Sequence, residues 1–455
     1  MDFPNCQIGE HLAVMESQIQ AVIETKIQEA LVPSAADFTR RSVSLPRIKG
    51  KAMCVIGMRR AGKTIFLHQC RADLRAKGVA AEQLIYFNFE DERLEGLTAA
   101  NLSLITDAHA RMHPAAAAKQ TTWFFDEIQL VPGWESFTRR LLDEGRCSIF
   151  ISGSSAKMLS REIATSMRGR GWEIVIYPFS FAEFLTHHQR EVPELPDRLT
   201  RRQATSLDHA FALYLMEGGF PEAQGMNLAE RLELVSDYVD VVLLRDVIER
   251  HGISNIVALR QLLRRLMSSP AGLFSVQKFF ADMQSQHIAV SRETIHTMLA
   301  ALEDTFLLHT VAVATDSEKR RNVNPRKAYP VDPALIHAFD RSGRANTGHA
   351  LESAVLVELM RRKNEVAYVR TASGHEVDFL ARSRTHRQVL IQVCASLDDP
   401  ATLAREVRAM QEAMTEHPRA KPLLLTLESR LPQPGVPAPI QIMPAWQWML
   451  TPDGE

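Results

Sequence analysis

The sequence predicts an α/β protein built on a parallel sheet, and three observations carry that reading. Between residues 49 and 185, short apolar runs rich in β-branched and aromatic residues alternate with amphipathic stretches. The runs KAMCVIGM, QLIYFNFE, TTWFFDEI and CSIFISGS each hold a continuous apolar stretch without polar alternation, as strands buried on both faces do. The first of them ends in a glycine-containing turn that leads directly into a helical pattern. Right-handed helical crossovers between such strands place helices on both faces of the sheet.

Taken in chain order, residues 1–48 read as a helical segment, with apolar positions at Leu12, Val14, Ile19 and Ile23 and a basic-to-proline join at Arg40–Pro46. Residues 49–185 form the α/β core. Residues 186–253 are helical, end in the long pattern NLAERLELVSDYVDVVLLRDVIERHG, and suit a helical lid, with Gly252 as C-cap. Within 254–335, SVQKFFADMQSQHIAVSRETIHTMLAALEDTFLLHTVAV reads as helix, turn, helix and strand, the layout of a winged helix. Ser291 is a good N-cap there, and Ile295, Leu299 and Leu302 share one apolar face. Residues 336–455 mix helices and strands in a C-terminal α/β domain, with LPQPGVPAPI as a rigid connector.

Composition narrows the classes. A chain of 455 residues exceeds one hydrophobic core, and 45% hydrophobic with 24% charged residues is an ordinary globular balance. A net charge of −1 gives no global basic field, so a nucleic-acid surface must be a local patch. Five cysteines, scattered and without a CxxC, argue against a disulfide framework or zinc site. The start has no secretory pattern and nowhere do 18 apolar residues run together, so a cytoplasmic protein without membrane contact is expected.

The chemistry centres on CVIGMRRAGKTIFLHQC. Gly57, Met58, Arg59, Arg60, Ala61, Gly62, Lys63 and Thr64 follow a strand and open a helix, as a phosphate-binding loop must. Glycines let backbone N–H groups wrap the phosphates, the lysine reaches the terminal phosphates, and the threonine hydroxyl faces Mg²⁺. About 60 residues on, the strand TTWFF ends in Asp126 and Glu127. Asp126 is expected to hold the metal and Glu127 to polarise the attacking water. ATP and Mg²⁺ are therefore the expected cofactors. The next strand ends in polar residues, among which Ser154, then Ser155, suit contact with the γ-phosphate or the water. Capping of the following helix explains these serines equally well. Arg161, Arg168 and Arg170 follow, and such an arginine can act on the nucleotide of a neighbouring subunit.

Together these landmarks resemble a bacterial and archaeal family of AAA-type ATPases that join a P-loop NTPase core to a restriction-endonuclease-like domain. The matching stretches are GMRRAGKT, FFDEIQLVPGWE, ISGSSAKML, MRGRGWEIVIYPFSFAEF, EGGFPEA, YPVDPALIHAF, ALESAVLVELM and GHEVDFLAR. The resemblance implies that Arg170 is the finger and that Pro221, in the Gly219-Phe220-Pro221 turn, contacts nucleotide. A joint between two helices is the plain alternative for that turn.

The resemblance also implies a metal site in the last domain, at Glu352, Asp378 and a strand acid followed by lysine. Here the third motif reads Ile391-Gln392-Val393-Cys394, so the acid and the ammonium are both missing and nuclease chemistry is not expected. Candidate DNA contacts are Arg292 on the second helix of the winged pattern and the run Lys319, Arg320, Arg321, Arg326 and Lys327, whose asparagines and proline suggest a loop. The leading expectation is an oligomeric ATP-driven motor or switch, a ring being one arrangement, that acts on DNA. The alternatives are a signalling switch that recruits a protein, and an ATP-dependent nuclease.

Overall fold

The computed structural model describes residues 5–32, 38–46, 48–153, 167–340, 346–429 and 436–452. It divides into two compact units, Met1–Met58 with Gly62–Ile176, and Arg59–Ala61 with Tyr177–Glu455.

The first unit is built on five parallel strands, β1 (Ala52–Ile56), β2 (Leu84–Asn88), β3 (Thr121–Asp126), β4 (Cys147–Gly153) and β5 (Gly171–Val175), in the spatial order β2-β3-β4-β1-β5. Every residue of β1 and β3 is buried, as strands covered on both faces are. Phe66 and Leu67 of the helix Lys63–Ala76 join Phe87, Phe124, Phe125 and Ile151 in the core. The helix Asn5–Glu29 buries Ile19, Ile23 and Ile27, a four-residue repeat that makes one face, and packs against the helix Ser103–Met112.

The second unit holds two sheets. Strands β6 (Leu273–Phe274), β7 (Leu308–Val311) and β8 (Arg326–Pro330) form an antiparallel sheet in the order β6-β8-β7. It accompanies the helices Ile256–Met267, Val276–Ser285 and Arg292–Asp304, and the Ser291 side chain accepts the Thr294 N–H as expected of an N-cap. The larger sheet comprises β9 (Glu365–Arg370), β10 (Glu376–Arg382), β11 (Gln388–Cys394), β12 (Ala420–Thr426) and β13 (Gln441–Pro444), in the order β13-β12-β11-β10-β9. Its β9, β10 and β11 are antiparallel neighbours, and β12 and β13 run parallel to β11.

The segments 186–253, 254–335 and 336–455 share one core, which joins Phe181, Phe211, Tyr329, Leu351, Tyr368, Phe379 and Trp446. One expectation meets a different outcome. The loop expected over 319–323 lies in a short helix, Glu318–Val323, because the Ser317 hydroxyl accepts the Arg320 N–H and Glu318 sits in the first turn. The turn-forming Asn324 and Pro325 come only after it.

Candidate nucleotide-binding site

The loop between β1 and the helix Lys63–Ala76 is shaped by its glycines. Gly57 has φ +148°, and a Cβ there would stand 2.2 Å from the Ile176 carbonyl oxygen. Gly62, at φ 97°, starts the helix without a side-chain cap, which leaves the first N–H groups free of that competitor. Gly57→Ala is therefore expected to strain the turn by about 1–3 kcal/mol. Urea denaturation should show the loss, and nucleotide affinity should fall with it.

Lys63 is buried, and its ammonium donates to the Gly57 and Met58 carbonyl oxygens at 3.2 Å each. Met58 and Ala61 are buried, whereas Thr64 is exposed. Within the second unit, Arg59 Nε donates to Asp246 Oδ2 at 2.7 Å, and Arg60 reaches Glu222 at 3.5 Å.

Asp126 ends β3 opposite Asn88 of β2 and is 1% exposed. It accepts the Tyr86 hydroxyl on Oδ2 at 2.6 Å and the Ser152 hydroxyl on Oδ1. Glu127 turns out of the strand at φ 54°, a left-handed conformation that sharply redirects the chain. Its N–H donates to Ser152 Oγ at 3.0 Å, and Gln129 Nε2 donates to its carboxylate. Burial pushes the Glu127 carboxyl above its ordinary value; Lys63 opposes this and Asp126 adds to it.

Ser152 is the residue that sequence reasoning missed. It is fully buried, aligned with Val55 of β1, and holds both the Asp126 carboxylate and the Glu127 backbone. Its signal was a lone hydroxyl inside the apolar run IFISG. The serines chosen instead, Ser154 and Ser155, lie outside the described residues, as does Arg161.

Arg168 is exposed in a turn at φ 50°. Arg170 pairs with Asp143, and its carbonyl accepts the Ala52 N–H at 2.8 Å. That places Arg170 where β1 begins, whereas Gly57 follows where β1 ends, about 16 Å away along five strand residues. Pro221 opens the short turn Pro221–Ala223 between the helices Arg201–Glu217 and Leu228–Val241. Gly219 packs under Phe179 in that turn and donates its N–H to Asp332 Oδ2 at 2.7 Å.

The candidate DNA contacts separate. Arg292, Lys319, Arg320 and Arg321 are exposed, with Arg292 over the Phe280 ring and Arg321 paired with Glu318. Arg326 is half-buried and donates to Thr310 Oγ1 at 3.3 Å. Lys327 departs from that expectation. It is 3% exposed and surrounded by Glu352, Glu376 and Asp378, in a strand whose residues from Lys327 to Pro330 are all buried. It cannot serve a phosphate backbone. Gln392 is buried beside Asp378, with its carbonyl turned to the Asp378 N–H.

A strand-to-helix loop with a buried lysine and a carboxylate pair at the end of the second strand over is the arrangement of a P-loop nucleotide-binding core. Comparison with known proteins agrees: the model of a family described as "AAA domain" matches residues 49–185, and that of a domain of unknown function, DUF8612, matches residues 208–346. The chain belongs to the same family as "Uncharacterized protein MJ1544" of Methanocaldococcus jannaschii, with 32% identity over 92% of this chain and 93% of that one. An "Uncharacterized protein" of Haemophilus influenzae is 31% identical over 72% of this chain and 78% of its own length.

Among solved structures, the Walker-type ATPase PABY2304 of Pyrococcus abyssi is similar at 14% identity and a TM-score of 0.41, covering 70% of this chain and 95% of that one. A Drosophila structure, ORC bound to GC-rich DNA and Cdc6, matches at 8% identity and a TM-score of 0.21, covering 74% of this chain and 98% of that one. Likenesses this slight carry no argument.

Proposed function

We propose that the protein hydrolyses ATP as a homo-oligomer and uses the cycle to drive a motor or switch that acts on DNA. The observation that carries the reading is the pairing of Gly57, Gly62 and the buried Lys63 with the Asp126–Glu127 carboxylates, all in the first unit.

The donor set fits magnesium and a triphosphate. Thr64 offers an exposed hydroxyl and Asp126 a carboxylate, both hard oxygen donors of the kind Mg²⁺ takes. Bound Mg²⁺ and ATP supply the phosphoryl group and the charge that neutralises its oxygens. Lys63 binds the terminal phosphates when its ammonium leaves the loop carbonyls. Gly57 and Gly62 allow the backbone to close on the anion. Tyr86 and Ser152 hold Asp126 in one orientation, and Ser152 also fixes the Glu127 backbone. Glu127 takes the proton of the attacking water. Burial raises its basicity for that task.

Arg170 supports the oligomer. Standing at the opposite end of the strands from Gly57, it serves a nucleotide only across a subunit boundary, and Arg168 stands in the same turn. Arg170→Ala alone, and Lys63→Ala alone, are each expected to lose most ATPase activity. Mixing the two recovers part of it, because some interfaces then pair an intact loop with an intact arginine. Full activity of Arg170→Ala at every protein concentration would end the assignment.

For DNA, the support is the element order in the second unit. A helix, short β6, two helices and the β7–β8 pair is the order of a winged helix, with Arg292 exposed at the start of the third helix. Lys319, Arg320 and Arg321 add exposed charge nearby in sequence. The five-stranded sheet with the helix Thr347–Arg361 ahead of it supports a restriction-endonuclease-like domain. The inward turn of Lys327 shrinks the basic surface and favours the second reading, a switch that recruits a protein. ATPase rates with and without duplex DNA, across a salt series, separate the two.

A further inference from the structure

The resemblance in the C-terminal domain brings with it a divalent-metal site, and the residues here do not fit one. Glu352 comes from the helix Thr347–Arg361, Glu376 and Asp378 from β10, and Lys327 from β8. The Lys327 ammonium lies 3.1 Å from Glu352 Oε1, 2.8 Å from Glu376 Oε1 and 3.0 Å from Asp378 Oδ1. An ammonium has three N–H donors, and three carboxylates stand ready to take one each. These are hydrogen-bond separations, whereas Mg²⁺ draws its oxygens to about 2.0–2.1 Å. The carboxylates are spaced for an ammonium.

Their other bonds hold that spacing. The Tyr329 hydroxyl donates to Glu352 Oε1 at 2.7 Å, and the Val393 N–H donates to Asp378 Oδ2 at 3.0 Å. At the position of the missing third acid, Gln392 Oε1 accepts the Asp378 N–H at 3.2 Å while its amide donates to Glu406 at 2.7 Å. Its carbonyl is thus engaged outside the cluster. Burial pushes the Cys394 thiol up to about 11, so no thiolate is available near neutral pH. Among the described residues, no group of three or more His, Cys, Asp or Glu side chains is arranged to hold a metal ion.

We propose that Lys327 is a built-in cation standing where a divalent metal would be held, so that the C-terminal sheet contains a latent divalent-cation site kept closed by the chain's own lysine. Buried carboxylates need a counter-charge, and leaving them unpaired is strongly destabilising. Burial alone would pull the lysine toward neutrality, but Asp378, Glu352 and Glu376 outweigh it and keep the ammonium charged. The same knot ties β8 to the helix Thr347–Arg361 and to β10.

The test uses the full-length protein without nucleotide, titrated with Mn²⁺ and read by the electron paramagnetic resonance signal of the free ion and by the melting temperature. Lys327→Met is expected to bind one more Mn²⁺ than the wild type, at least tenfold tighter than any wild-type site. It should melt lower than the wild type without metal and recover with it. Adding Asp378→Asn should abolish both gains. A folded Lys327→Met protein that takes up no extra Mn²⁺ overturns the proposal. So does one that stays unfolded in millimolar Mn²⁺, since the metal would then not replace the lysine. Wild-type Mn²⁺ binding that disappears in Asp378→Asn alone overturns it as well, because the site would already be open.

Discussion

Glu127→Gln protein binds ATP with near wild-type affinity and turns it over about 10²–10⁴-fold more slowly, the usual contribution of a positioned base. The amide keeps the shape and the contact with Gln129 but cannot accept the water's proton. The pH profile gives a second reading of the same residue. Burial raises the Glu127 carboxyl above its ordinary 4.5, so it protonates while the solution is still less acidic than a free glutamate requires. Activity is present above that raised value and is lost as pH falls through it. The wild-type acid limb therefore lies above the ordinary carboxylate range, and Glu127→Gln retains only a low rate without this limb. Stopped-assay phosphate release from pH 4.5 to 8 checks both.

Lys63→Ala has the largest expected effect on binding. The ammonium is held against the loop carbonyls of Gly57 and Met58, already inside the turn that faces the phosphates. Its removal leaves phosphate charge without a buried partner. Truncating one member of such a pair costs about 2–5 kcal/mol, roughly thirty-fold to several-thousand-fold in Kd. Fluorescent-nucleotide titration reads this directly. Thermal unfolding without nucleotide should show that the fold survives, since the helix Lys63–Ala76 is anchored by Phe66 and Leu67. A Lys63→Ala protein with unchanged Kd would remove the loop from the account.

The sheet and its carboxylate pair were legible because their signals are local. An apolar run without alternation specifies a strand covered on both faces, and a glycine turn followed by lysine specifies a loop closed on an anion. Asp126 and Glu127 fall at a strand end by simple counting. Ser152 was not legible, because its role depends on β4 lying between β3 and β1, a matter of sheet order. Lys327 was misread for a related reason. Its neighbours Arg326 and Arg321 are charged, so the run looked like one solvated face, yet β8 is buried from Lys327 onward and the acid partners come from 25 to 51 residues further on. The missing acid at Gln392 was visible, whereas the lysine standing in the cluster was not. Among the described residues no helix is long and apolar enough to cross a membrane, in keeping with the absence of long apolar runs.

The most direct measurement is the release of inorganic phosphate from ATP by purified full-length protein, with and without Mg²⁺, over a series of protein concentrations. Turnover is expected to require Mg²⁺, to rise more than proportionally with protein as subunits associate, and to vanish in Lys63→Ala. Phosphate release no faster than buffer at every concentration, or a rate that survives in Lys63→Ala, would contradict it.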